Sequence, residues 1–383
     1  MAGDARQSCG RCPTLQSSRP RARVRSLAAA HRDVRLREGT AIAMTTGILK
    51  SDAPGPRSAR MIQESFLVIV VVLLAAVAAW AQPASKVDRI GVLLHDGAPP
   101  GLLEGFRDGL RELGHVEGKN VTIELRNAEG KNERLSTLAS ELVRLKVDVI
   151  LAVNTPSALA AKKATTTIPI VITRVADPVG AGLVSNLARP GGNVTGLSIL
   201  PTGLAAKRIQ FLREIVPGFS RVVVLYNADN PGTRFGAAEM EEASSHLGLQ
   251  FLRLPVRGPS DFPGAFQAAS RARAEALFVL DDVALTQKRG HIVKLAAAHS
   301  LPVISNYRDF AEAGGLLAYG PNLPAAYRRA AYYADRILRG AKPSDLPVEE
   351  PTQLDLVVNL KTARALGLTI PPSVLLSANH VIE

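Results

Sequence analysis

A chain of 383 residues, 46% of them hydrophobic and only 4% aromatic, carries enough aliphatic side chain for one or two globular domains and is not a disordered polymer. The formal charge of +12 invites a nucleic-acid partner until its position is considered: residues 1–81 hold 12 Lys/Arg against 5 Asp/Glu, and residues 82–383 hold 34 against 29. That small excess in the body forms no basic run with interleaved aromatics, so no nucleic acid is expected as a partner.

Residues 1–60 scatter Arg, Ser, Pro and Gly without a sustained period of 2 or 3.6 and are expected to be a disordered leader outside the fold, with Met44 or Met61 as candidate starts. Cys9 and Cys12 both fall there, where a lone CxxC in a patternless stretch argues for neither metal nor redox chemistry. Phe66 to Ala79 is apolar without a break, preceded by Arg57 and Arg60 and followed by Ala79-Trp80-Ala81. This pattern predicts a signal peptide over 61–81, cleaved after Ala81. The run is shorter than the roughly 20 residues a spanning helix needs, and an uncleaved N-terminal anchor is the alternative. No cysteine follows residue 81, so the body has no disulfide, thiol nucleophile or lipid attachment point.

From Val87 onward, strand-length apolar runs alternate with amphipathic helical segments, the pattern of parallel sheets with crossover helices. Strands are predicted over 89–94, 121–126, 147–153 and 168–173, and helices over 102–113 (ended by Gly114), 132–145 and 157–164. The second half repeats this order. Arg89-Ile-Gly-Val-Leu answers to Arg221-Val-Val-Val-Leu, Leu113-Gly114 to Leu247-Gly248, Ile168-Pro-Ile-Val to Leu301-Pro-Val-Ile, and Gly180-Ala-Gly-Leu to Ala313-Gly-Gly-Leu, at offsets of 132, 134, 133 and 133. Four markers in one register predict an α/β protein of two similar Rossmann-like lobes. The first lobe is expected over 87–198 plus about 320–345, and the second over 201–318 plus about 352–383. The Pro/Gly-rich stretch 189–203 between them is a candidate hinge or plain linker, and a helix over 325–338 precedes an extended run over 343–351 and a strand over 354–359.

Long motifs carry a family resemblance: Asp148-Val-Ile-Leu-Ala with Thr155-Pro-Ser-Ala-Leu-Ala-Ala-Lys-Lys-Ala-Thr; Asp177-Pro-Val-Gly-Ala-Gly-Leu-Val; Leu187-Ala-Arg-Pro-Gly-Gly-Asn-Val-Thr-Gly; Tyr319-Gly-Pro-Asn-Leu; and Val358-Asn-Leu-Lys-Thr-Ala-Arg-Ala-Leu-Gly-Leu-Thr-Ile-Pro. From about residue 87 onward the chain resembles the ABC-transporter substrate-binding proteins of tryptophan/tyrosine type. The resemblance implies the type I periplasmic-binding fold with a hinge, a periplasmic monomer, an amino acid or related metabolite as ligand, and an ABC permease of the inner membrane as partner. The loop His95-Asp-Gly-Ala-Pro-Pro and the tail from Leu376 depart from the family pattern, and the first of these leaves the ligand open.

In open α/β sheets ligands lie beyond the carboxyl ends of the strands. Asn154-Thr155-Pro156-Ser157 follows a buried strand and opens a helix, with Thr155 as expected N-cap and Pro156 at the first helical position; such an N-terminus suits a carboxylate. Asp177 either faces the cleft or caps the Gly-rich turn. In the second lobe Asn227, and Asp281 or Asp282, follow strands, and one of the two adjacent acids is expected to meet a ligand ammonium. Tyr307 and Tyr319 either line the cleft or pack in the core, and His95 is a candidate hydrogen-bond donor with no metal-ligand spacing around it. GxSxG, HExxH, GxxxxGK[ST] and GxGxxG motifs are absent, so neither an enzyme nor a cofactor is expected. Besides transport, the alternative is a sensor that signals to a receptor.

Overall fold

Alternation with period 2 puts Ile90, Val92 and Leu94 of strand β1 (Asp88–Leu94) on one face of a sheet and Leu93 on the other, and helices cover both faces. The computed structural model describes residues 86–96, 101–199 and 203–383. The expected leader (1–60) and the expected signal peptide (61–81) lie outside the described residues.

The first lobe runs β1, α1 (Leu102–Glu112), β2 (Val121–Asn127), α2 (Asn132–Arg144), β3 (Val149–Val153), α3 (Thr155–Ala164), β4 (Ile170–Val175) and β5 (Val194–Ser198). The second runs α4 (Leu204–Ile215), β6 (Arg221–Asn227), α5 (Pro231–His246), β7 (Gln250–Val256), α6 (Phe262–Arg271), β8 (Ala276–Val279), α7 (Val283–Gln287), α8 (Arg289–Ala298), β9 (Val303–Ser305), α9 (Arg308–Glu312) and β10 (Leu317–Pro321). The sheets have the orders β2-β1-β3-β4-β5 and β7-β6-β8-β9-β10, the same topology twice, as the repeated markers predict. The second sheet is extended by β11 (Leu354–Asn359), antiparallel to β10, and by β12 (His380–Ile382); α11 (Leu360–Ala365) and α12 (Pro372–Ser377) separate those two strands.

The chain passes between lobes three times. It leaves the first after β5, and after β10 it returns in α10 (Leu323–Leu338), which packs on α1 and on β3, β4 and β5. Residues 346–349 then lie along β5: Glu349 N donates to Gly196 O at 2.9 Å, and Ser198 N donates to Glu349 O at 2.9 Å. The piece returned to the first lobe thus starts after Pro321 and reaches Glu349, beyond the expected 345. The third passage, between Glu349 and Leu354, leads to β11.

One expectation is corrected. The stretch 189–203 is not a plain linker, because Val194–Ser198 is a fully buried strand. Gly196, at φ 130°, lets β5 approach β4 so closely that a Cβ there would sit 2.3 Å from Ile172 O.

Helices α1 and α10 make the tightest seam of the first lobe. A Cβ on Gly109 would fall 2.8 Å from the Ala331 Cβ and 2.9 Å from Arg328 O, so backbone meets backbone there. Gly109→Val should therefore lower unfolding stability by about 1–3 kcal/mol. In urea titrations it should reduce the midpoint at unchanged slope.

Candidate functional site

Parallel pairing brings the carboxyl ends of the strands to one edge in each lobe. Leu94, Val153 and Thr173 are in register across β1, β3 and β4, so His95, Asn154 and Arg174 follow side by side. In the second lobe Leu225 is in register with Val279 and Val279 with Ser305, which places Asn227, Asp281 and Tyr307 in the same relation. The repeat makes Asp281 the counterpart of Asn154 and Tyr307 the counterpart of Arg174, each four residues past an equivalent strand position (Ile150 and Leu277; Ile170 and Val303).

Arg174 joins the two edges. The β4–β5 register shifts between Ile172 and Val175, and Arg174 stands there at φ 57°, a left-handed conformation that a residue with a long side chain adopts only when its surroundings hold it. Its Nη2 donates to Asp281 Oδ1 of the other lobe, with the two side chains 2% and 7% exposed. The guanidinium lies 5.3 Å from the centre of the Tyr307 ring, and the Tyr307 hydroxyl donates to Asp281 Oδ2 at 3.2 Å.

Burial pushes the Asp281 carboxyl upward against the pull of Arg174. Burial also opposes the Arg174 charge, yet Asp281 holds that guanidinium protonated beyond its ordinary range. With N–H and O–H donors both aimed at the carboxylate, the contact is that of an ionised pair. Burial raises the Tyr307 phenol well above its usual value and that of Tyr327, on α10 beside Arg174, to about 12. Both hydroxyls are therefore neutral donors near neutral pH.

Several buried polar atoms along these edges have no hydrogen-bond partner: His95 Nε2, Ser157 Oγ, Thr173 Oγ1, Arg174 Nε, Asn306 Oδ1 and Tyr327 OH. Such atoms are uncommon in folded proteins, where a buried polar group is ordinarily met by a protein group, a water or a ligand. Arg208 of α4 is comparable. It is fully buried, its Nε donates to Tyr319 O at 2.7 Å, its Nη2 has no partner, and burial lowers its pKa to about 10.

The expected residues separate by role. Asn154, Thr155, Asp281 and Asp282 line one small cavity with Arg174, Asn230 and Gly232. Asn154, and not Thr155, caps α3: its Oδ1 accepts from Ser157 N at 3.2 Å, so Thr155 is the first helical residue and Pro156 the second. Asn154 reaches that position at φ 73°. Thr155 instead faces the other lobe, where a Cβ on Gly232 would lie 2.5 Å from its Oγ1. Asp281 is the acid that reaches across the cleft. The Asp282 carboxylate caps α7 through Ala284 N and Leu285 N and accepts from Asn230 Nδ2 at 2.9 Å.

The remaining residues lie outside that cavity. Asp177 caps its own turn, accepting from Val179 N and Gly180 N, and borders a neighbouring cavity of about 590 Å³. Asn227 closes a turn by accepting from Asp229 N at 3.0 Å. The Tyr319 ring packs edge-on against Phe211 at 5.2 Å, within the second-lobe core. Tyr307 lines a third cavity, about 260 Å³, with Asn306, Leu102 and Leu323.

Sequence reading missed Arg174, although its signal is present: a lone cation inside the apolar run Ile170–Val175. Asn306 and Arg208 were missed as well: Asn306 breaks no apolar pattern, while Arg208 is a cation on the apolar face of α4, one turn from Leu204 and from Leu212. Among the described residues no three His, Cys, Asp or Glu side chains gather closely enough to hold a metal ion, and no helix is long and apolar enough to cross a membrane.

Residues 89–382 match the family described as ABC transporter substrate binding protein. The chain belongs to that family. It is 27% identical to a tyrosine-binding protein of Clostridioides difficile (strain R20291), over 69% of this chain and 76% of the relative. Its fold, the type I periplasmic-binding fold, matches the ABC domain of Streptococcus pneumoniae solved in complex with L-Trp, with a TM-score of 0.72 and 28% identity over 77% of this chain and 99% of that one. A ligand-free, open substrate binding protein with adhesive properties from Clostridium difficile, also 28% identical over the same shares, matches with a TM-score of 0.60.

The two adjacent acids should part in experiment. Asp282→Ala removes a helix cap and the acceptor for a buried amide, and is expected to lower unfolding stability by about 1–2 kcal/mol in denaturant titrations, with Asp282→Asn recovering most of the loss.

Proposed function

We propose that this protein is the extracytoplasmic solute-binding component of an ABC-type importer and captures a small, amphipathic, amino-acid-like metabolite between its lobes by hinge closure. The observation that carries the reading is the set of buried, unpartnered polar atoms around the strand ends where the lobes meet: His95, Arg174, Ser157 of α3 and Tyr327 of α10 on the first lobe, and Asn306 on the second. Elsewhere in a folded protein such atoms would be paired. Placed where two lobes meet, they suit a polar guest and an event of binding, not bond cleavage.

The cavity at the centre of the seam holds only about 10 Å³, room for about one water molecule. A solute therefore enters with the lobes apart and, when bound, holds the two edges farther apart than they stand here, with Arg174 and Asp281 on either side of it. The better match to the L-Trp complex than to the open, ligand-free relative, at equal identity and coverage, supports a closed arrangement here. Three passages of the chain between lobes favour bending about a shared hinge over free tumbling, and a guest that touches both sides favours closure by its differential affinity. The relatives named for tyrosine and solved with L-Trp support an amino acid as the solute. Of the expected residues, Asn154, Thr155, Ser157, Asp281 and Tyr307 belong to this binding edge, with His95 beside them, while Asp282 holds the edge in shape.

Mass spectrometry of the supernatant from purified, denatured protein should reveal a bound amino acid or close relative. Adding it back at a hundredfold excess over Kd should stabilise the protein by about 2.7 kcal/mol and reduce the radius of gyration in solution scattering. A full amino-acid panel that moves neither the melting temperature nor the scattering curve would overturn the reading. Material recovered from the periplasm should begin at Gln82.

A further inference from the structure

Arg174 and Asp281 come from different lobes, so their contact exists only while the lobes are together. Resting on the reading of this seam as the solute site, we propose that the pair is an internal stand-in for the two charges of a zwitterion and sets the specificity of the cleft: a solute is enclosed only if it brings a carboxylate for Arg174 and an ammonium for Asp281.

The donor inventory fits that exchange. Arg174 uses Nη2 on Asp281 and leaves Nε without a partner, so a carboxylate replacing Asp281 could be met by two parallel N–H groups. The unpartnered hydroxyl of Tyr327, beside the same guanidinium, adds a third donor. On the other side Asp281 keeps the Tyr307 hydroxyl on Oδ2, and Oδ1 is released to an incoming ammonium. The neighbouring Asp282 is unsuited to that role because helix α7 and Asn230 already engage its carboxylate. Arg208, buried and within electrostatic reach of Asp281, further favours a site that keeps an acid ionised.

Selectivity follows from what a wrong solute leaves behind. A solute with only a carboxylate parts the pair and strands Asp281 in a dry seam; one with only an ammonium strands Arg174. A buried charge that loses its partner is far more costly than a pair exchanged for another pair. The left-handed backbone of Arg174 is the structural price of aiming this guanidinium across the seam.

The test is calorimetric titration of the purified protein with the twenty L-amino acids, then with the N-acetyl and the amide derivative of each that binds. Blocking either end is expected to weaken binding at least about a hundredfold. In Asp281→Asn the penalty for the N-acetyl form should shrink below about tenfold, and in Arg174→Gln the penalty for the amide should shrink likewise. The double variant Arg174→Gln/Asp281→Asn, which keeps the shapes and strands no charge, should treat all three forms nearly alike. Blocked forms that bind the native protein as well as the parent would overturn the proposal, as would variants that weaken all three forms by one common factor, the mark of a merely structural bolt. If none of the twenty amino acids binds, the amino-acid reading itself falls, and the role of the pair falls with it.

Discussion

A guanidinium and a carboxylate withdrawn from water each carry a large desolvation penalty, which is offset only when they meet in good geometry with their remaining hydrogen-bonding capacity engaged. In this molecule that condition spans two lobes, because Arg174 belongs to one sheet and Asp281 to the other. With no solute between them, the lobes cannot separate without hydrating both charges and cannot close without bringing them together. Tyr307 is drawn into the same requirement, with its ring under the guanidinium and its hydroxyl on the acid.

Parallel pairing is what delivers these groups to one place. The five parallel strands of each lobe end at the same edge, and the side chains just beyond those ends become the walls of the seam. Helix α10 contributes from behind: it follows a strand of the second sheet yet packs on the first, carrying Tyr327 to the side of Arg174. The close approach of α10 to α1 at Gly109 fixes that helix against the first lobe.

The fold was legible because it rests on periodicity and on a repeat of about 133 residues, both of which survive in a single sequence. Strand β5 was not, since Pro190, Gly191, Gly192 and Gly196 resemble a linker; a close approach between strands and a flexible joint both favour glycine. Arg174 escaped for a related reason. Attention to residues after a strand misses one placed on a bulge within it, where the backbone turns the side chain out of the sheet and into the seam.

The adjacent pairs Asn154-Thr155 and Asp281-Asp282 show how one residue of register decides chemistry. In each lobe one member of the pair closes the next helix and the other faces across the seam, because neighbouring side chains at a strand end point in different directions. In the first lobe the helix starts at Thr155, so Asn154 is the cap and a hydroxyl is turned toward Gly232. In the second the helix starts at Val283, so Asp282 is the cap and Asp281, the counterpart of Asn154, is turned toward Arg174. A helix that began one residue earlier would have committed Asp281 to capping, as Asn154 is committed, and would have left the guanidinium without a carboxylate.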